Sequence, residues 1–73
     1  MAVQIVMDHK GDSRHFFDSG NSEDLAKAEG RFKQLTGRGF TAAIRLAPGQ
    51  VEQVKSFDST AEETLFFPRL VGG

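Results

Sequence analysis

One stretch of the sequence has the periodicity of an amphipathic helix, and it limits the possible folds more than any other feature. Its apolar residues recur at spacings of three, four and three, which places them on one helical face. They are Leu25, Ala28, Phe32 and Leu35. Asn21 or Ser22 can cap the start, because a short polar side chain accepts hydrogen bonds from the free N–H groups of the first turn. We predict a helix over residues 22–36 that ends at Gly37 in a left-handed cap and packs through its apolar face on a sheet.

Two strand-like segments precede this helix. Residues 2–7 are fairly apolar on both alternating faces, which is typical of a strand in the interior of a sheet. The polar run at residues 8–13 predicts a hairpin loop, and residues 14–18 return as a second strand. Arg14 and His15 favour an edge position for this second strand, because polar and charged side chains discourage unwanted pairing with another chain.

Further strand-like segments follow the helix. Residues 40–46 alternate in polarity, which predicts a half-buried strand whose buried side chains are Phe40, Ala42, Ile44 and Leu46. Pro48 and Gly49 predict a tight turn. Residues 51–57 then return as an edge strand that is bulged or irregular, because their apolar residues do not alternate cleanly. Residues 59–62 match a capping box, which predicts one short helical turn before a last strand that starts at Thr64.

The predicted order is strand, strand, helix, strand, strand, short turn, strand. This is the element order of an α+β domain of the β-grasp type, with a mixed sheet of four to five strands and one helix packed on one face. In such a domain the first and last strands lie side by side and parallel at the centre of the sheet, joined by the intervening crossover. We expect a single domain over residues 1–70 and a flexible C-terminal tail over residues 71–73.

Size and composition narrow the class of protein. A chain of 73 residues has room for one small core, and without cysteine it has neither a disulfide framework nor a cysteine nucleophile. Nine Lys and Arg residues balance ten Asp and Glu residues without forming blocks, so no nucleic-acid partner is expected. The apolar runs are too short for a membrane span or a signal peptide. We therefore expect a cytoplasmic monomer with no membrane partner.

The stretch after the last predicted strand carries the clearest functional signal. It reads Arg69-Leu70-Val71-Gly72-Gly73. This sequence resembles the arginine-leucine-arginine-diglycine ending of ubiquitin. Together with Phe67 and Pro68 it is also similar to the apolar-proline-aliphatic-diglycine ending of the small sulfur carriers of molybdopterin and thiamine synthesis. Both families share the β-grasp fold.

Both resemblances imply the same first step, in which an activating enzyme uses ATP to adenylate the carboxylate of Gly73. Gly72 would let the tail pass a constriction that a β-carbon would block. Arg69 is either a contact to acidic residues of the activating enzyme or a solvated charge. Leu70 and Val71 are expected to contact that enzyme, because they lie beyond the predicted sheet. The aliphatic residue at position 71 departs from ubiquitin and resembles the sulfur carriers.

Adjacent phenylalanines indicate a second candidate site. Phe16 and Phe17 form one pair, and Phe66 and Phe67 form another. Because successive side chains of a strand point to opposite faces, one ring of each pair points into the core and one points out. We expect the outward rings to form an apolar partner-binding surface on the sheet, and we take Phe17 and Phe67 as its candidate residues.

Two other groups of residues are weaker candidates for a functional site. His9 and His15, with nearby aspartates, suggest a zinc site, but no complete ligand set is evident and we predict no metal. Ser13, His15 and Asp18 are close in sequence, yet without a pocket they do not indicate a nucleophile, a base and an orienting group. We therefore predict no catalytic residues.

The sequence thus favours a ubiquitin-like protein modifier that is not itself an enzyme and needs no cofactor. Its partners would be an adenylating activating enzyme and a target protein. The first alternative is a sulfur carrier that forms a thiocarboxylate at Gly73 and passes sulfur to an acceptor. The second alternative is a protein-binding module that uses the sheet face and is not conjugated.

Overall fold

Two hairpins flank one helix in the computed structural model, which describes residues 1–68. The elements are β1 Ala2–Asp8, β2 Gly11–Phe17, α1 Ser22–Gly37, β3 Phe40–Ala47, β4 Gln50–Val54 and β5 Glu63–Pro68. The five strands form one sheet in the order β2-β1-β5-β3-β4. β1 and β5 pair in parallel at its centre, and the other neighbours pair antiparallel. The predicted α+β, β-grasp architecture is confirmed.

The first hairpin is tighter than predicted. β1 is an interior strand and β2 an edge strand, as expected, but their pairing continues to Asp8 and Gly11, which leaves a loop of only two residues. The Asp8 carboxylate accepts a hydrogen bond of 2.7 Å from the backbone N–H of Lys10. Gly11 has a φ of 119°, a conformation that side-chain-bearing residues rarely adopt. The polar run predicted as a loop is therefore mostly strand.

The helix begins as predicted. The side chain of Asn21 caps its start and accepts hydrogen bonds of 2.9 Å and 3.1 Å from the N–H groups of Glu23 and Asp24. Ala28 and Phe32 on the predicted apolar face are buried. The helix therefore covers one face of the sheet through the side chains identified from their spacing.

The predicted left-handed cap at Gly37 is wrong. Gly37 remains helical, and the N–H of Arg38 still bonds to the carbonyl of Gln34 at 3.2 Å. The positive φ, 99°, falls on Gly39, whose N–H bonds to the carbonyl of Thr36 at 3.1 Å. Because the helical hydrogen bonds continue for two more residues, the second glycine takes the left-handed position.

The connection between β4 and β5 also differs from the prediction. β4 ends at Val54, and Phe57 lies beyond it with its ring 6.0 Å from those of both Phe17 and Phe32. No helical turn forms at residues 59–62 of the described chain. Instead the Asp58 carboxylate accepts hydrogen bonds from both the N–H and the hydroxyl of Thr60, which closes a turn.

The predicted irregularity of the second hairpin lies on β3. The pairing register shifts between Arg45 and Ala47, so the clean alternation predicted for this strand does not reach its end. Leu46 is consequently exposed rather than buried. Within residues 1–68, no helix is long and apolar enough to cross a membrane.

Candidate functional site

The helix covers one face of the sheet and leaves the other face open. Ala2 and Val6 of β1 belong to the clusters packed beneath α1, so the alternate residues of that strand face the opposite side. Paired residues of neighbouring strands lie on the same side of a sheet, so the partners of these alternate residues on β2, β5 and β3 also face the side away from the helix. We call this surface the open sheet face, and its apolar residues are Val3, Ile5, Met7, Phe16, Ala43, Leu65 and Phe67.

The two phenylalanine pairs divide between the faces, as predicted. Phe66 is fully buried and Phe67 is 36% exposed, so Phe67 lies on the open sheet face. In the other pair, Phe17 is 3% exposed and Phe16 is 63% exposed. The choice of Phe17 as a partner-binding residue is therefore wrong. Its ring packs beneath the helix with Ala28, and Phe16 occupies the exposed position instead.

The geometry of the open sheet face follows from the strand register. Phe16 pairs with Val3 at one end of β1, and Phe67 follows Phe66, which pairs with Val6 near the other end. The two exposed rings are thus separated by on the order of 13 Å along the strand direction. Between them lie Ile5 and Leu65, which pair with each other and are buried by their neighbours. This arrangement is an apolar strip with an aromatic ring at each end.

Charged groups lie at the margins of this strip. Arg14 of β2 pairs with Ile5, and Asp12 pairs with Met7. On the other side, Arg45 donates from Nε to Glu63 at 3.1 Å, so these two charges largely neutralise each other. An apolar centre with a polar rim is the usual composition of a protein-binding surface.

The candidate residues of the tail, Arg69, Leu70, Val71, Gly72 and Gly73, lie outside the described residues. The structure describes the strand that precedes them. β5 lies between β1 and β3, and its last residue, Pro68, pairs with Phe40.

A polar group on the helix side of the sheet was missed by the sequence reasoning. The Gln4 side chain is fully buried, donates from Nε2 to the Ala28 carbonyl at 2.9 Å and accepts at Oε1 from Arg31 Nη1 at 2.9 Å. The signal available in the sequence was a glutamine inside an otherwise apolar interior strand, because a buried amide must find hydrogen-bond partners. Its partner Arg31 had no signal of its own, since it is one of several charged residues on the helix.

Ser13, His15 and Asp18 do not form a connected triad in the structure. Ser13 Oγ and His15 Nε2 are 3.4 Å apart, but the Asp18 carboxylate accepts from the N–H of Gly20 at 2.9 Å and does not join them. Burial, and then the positive charge of Arg31, lower the pKa of His15 below its usual value. Among residues 1–68, no group of three or more His, Asp or Glu side chains is arranged to hold a metal ion.

Comparison of the chain with protein-family models, curated protein sequences and solved structures gives no match. The features that bear on function are therefore the β-grasp fold, the exposed surfaces and the sequence that follows β5.

Proposed function

We propose that this protein is a ubiquitin-like modifier whose Gly73 carboxylate is adenylated by an activating enzyme and then joined to a target protein. The observation that carries the proposal is the combination of a β-grasp sheet with the sequence Arg69-Leu70-Val71-Gly72-Gly73 directly after its central strand β5. A central strand is held by neighbours on both sides, so it is a firm anchor for a reactive segment.

In adenylation and conjugation the chain itself has few roles. The Gly73 carboxylate attacks the α-phosphorus of ATP in the activating enzyme and displaces pyrophosphate. The acyl adenylate passes to a thiol, with release of AMP, and an amine of the target then displaces the thiol to form an amide. Gly72 keeps the segment narrow at a constriction, whereas Arg69, Leu70 and Val71 contact the activating enzyme. This cytoplasmic protein contributes recognition, and its partner contributes catalysis.

The open sheet face supports a partner-binding role within the same proposal. Phe16 and Phe67 are large apolar side chains that remain exposed in the described part of the chain. Aromatic side chains in such positions are common anchors of protein interfaces. A partner that lies along the apolar strip can contact both rings at once and exclude water from the residues between them.

A sulfur carrier is the second candidate, and a specific observation favours it. Val71 and Pro68 resemble the aliphatic and proline residues that precede the diglycine of sulfur carriers. In that case a hydrosulfide-level sulfur donor attacks the acyl adenylate instead, AMP leaves, and Gly73 ends in a thiocarboxylate. A third candidate, a binding module without conjugation, would use only the open sheet face.

Intact mass spectrometry of the protein from its native host tests the proposal. The wild type is compared with a variant that lacks Gly72 and Gly73, expressed at the same level. Adducts of higher mass that require the two glycines support the modifier, and a gain equal to one oxygen-to-sulfur exchange supports the carrier. The same spectrum tests whether Gly73 carries a free carboxylate, which both activated forms require. Identical behaviour of the two proteins would reject both and leave the binding module.

A further inference from the structure

A cluster of polar side chains lies between the edge strand β2 and the helix, on the side of the sheet opposite the open sheet face. We call it the Arg31 cluster, and its members are Gln4, Ser13, His15 and Arg31, with Ser13 Oγ 3.4 Å from His15 Nε2. The Gln4 side chain is buried, and both ends of its amide form hydrogen bonds. Its Nε2 donates to the Ala28 carbonyl, and its Oε1 accepts from Arg31. A half-buried guanidinium is thereby fixed in position by one of its five N–H groups.

The residues of β2 in this cluster supply neutral hydrogen-bonding groups. His15 pairs with Gln4 across the two strands, and Phe17 beyond it packs beneath the helix. Alternation along β2 therefore puts Ser13 and His15 on the helix side as well. Because its pKa is lowered by burial and by Arg31, the His15 imidazole is mainly neutral near pH 7 and can donate or accept.

Arg31 forms no ion pair within residues 1–68. Two ion pairs form there, Lys33 with Glu29 and Arg45 with Glu63, and Arg31 takes part in neither. A guanidinium that is held by one hydrogen bond, partly removed from water and outside these ion pairs still has a planar fork of donors for another acceptor.

We propose that the Arg31 cluster binds an oxyanion, with the Arg31 guanidinium as the charged donor and with Ser13 and His15 as neutral hydrogen-bonding partners. Carboxylate and phosphate groups both present the paired oxygens that the guanidinium fork accepts. The site lies opposite the open sheet face and includes none of residues 69–73, so the proposal stands whether or not the protein is conjugated.

The test is an NMR titration of the full chain at pH 7.5 and constant ionic strength, with sodium phosphate in one arm and sodium acetate in the other. Signals of Ser13, His15 and Arg31 are expected to move in a saturable way. Arg31→Gln is expected to weaken binding at least about tenfold, since hydrogen bonds to a charged group are lost. Arg14→Gln is the matched control, because it removes the same charge from the opposite face of β2, and its affinity should match that of the wild type.

The pH dependence provides a second readout. A bound anion near the imidazole favours the protonated form, so phosphate or acetate should raise the pKa of His15 in the wild type. Saturation with one salt alone would support the site and identify the chemistry that it prefers. Absence of saturation with both salts would overturn the proposal, and so would equal weakening by Arg14→Gln and Arg31→Gln, which would indicate only the overall charge.

Discussion

The buried side chain of Gln4 on β1 donates a hydrogen bond of 2.9 Å to the backbone carbonyl of Ala28 on α1. This bond joins the centre of the sheet directly to the helix, at a position between Ala2 and Val6, which belong to two apolar clusters beneath the helix. It also determines where Arg31 lies, because the same amide accepts from its guanidinium. A single polar residue in an interior strand thus connects the core to a surface group.

Replacing Gln4 by alanine should therefore destabilise the fold. The substitution removes two hydrogen bonds and leaves a cavity, and we expect a loss of about 2–4 kcal/mol in the free energy of unfolding. The measurement is urea unfolding followed by circular dichroism. Gln53→Ala is the control, because Gln53 is exposed on the edge strand β4 and should change stability by less than about 0.5 kcal/mol. Equal effects of the two substitutions would contradict the assigned role of Gln4.

The adjacent residues Phe16 and Phe17 should respond very differently to truncation. Phe17→Ala removes a ring packed beneath the helix and should cost about 3–5 kcal/mol. Phe16→Ala removes an exposed ring of the open sheet face and should cost less than about 1 kcal/mol. Thermal unfolding of the two variants in parallel gives the comparison. A larger loss for Phe16 would mean that the assignment of the two faces of β2 is reversed.

Gly30 in the middle of α1 should tolerate alanine. A β-carbon added there meets no atom within 4 Å, so no close approach requires glycine. Gly30→Ala should raise stability by about 1 kcal/mol, the difference in helix propensity between the two residues. Gly39→Ala is the matched comparison and should lower stability instead, since Gly39 has a φ of 99°. Denaturant midpoints measure both, and a loss of stability in Gly30→Ala would contradict the open environment at that position.

Removal of the charge of Arg31 should change the pKa of His15. Arg31 contributes to the lowered pKa of His15 together with burial, so Arg31→Gln should raise that pKa, whereas Arg14→Gln should not. Because the folded state holds this proton less tightly than the unfolded state, stability should fall as the pH drops below about 6.5 toward the lowered pKa. His15→Gln should make that decrease shallower. NMR titration and urea unfolding at several pH values measure the two effects, and an unchanged pKa in Arg31→Gln would place the guanidinium away from the imidazole.

Local patterns were sufficient to predict much of this fold. The helix and its apolar face follow from the spacing of Leu25, Ala28, Phe32 and Leu35, which reports directly on a helical surface. The interior position of β1 follows from apolar residues on both of its faces. These features depend on neighbours in sequence, and they are therefore readable without the tertiary structure.

Features that depend on tertiary contacts were not readable. Alternation indicates that Phe16 and Phe17 face opposite sides, but only the position of the helix decides which ring is buried. Phe57 looked like part of a strand, yet it leaves the sheet and fills the space between Phe17 and Phe32. Arg31 is defined as a site residue only through its contact with Gln4, which lies 27 positions away in the chain.

The central claim, that Gly73 becomes joined to a target, is tested most directly by peptide mapping of tryptic digests from the native host. Trypsin cleaves after arginine, so a conjugate would leave Leu70-Val71-Gly72-Gly73 attached to a lysine of the target once the bond after Arg69 is cut. We predict this branched remnant in cells that express the wild type and its loss in cells that express the variant without Gly72 and Gly73. Recovery of the segment only as an unbranched peptide, at equal protein levels, would contradict the claim.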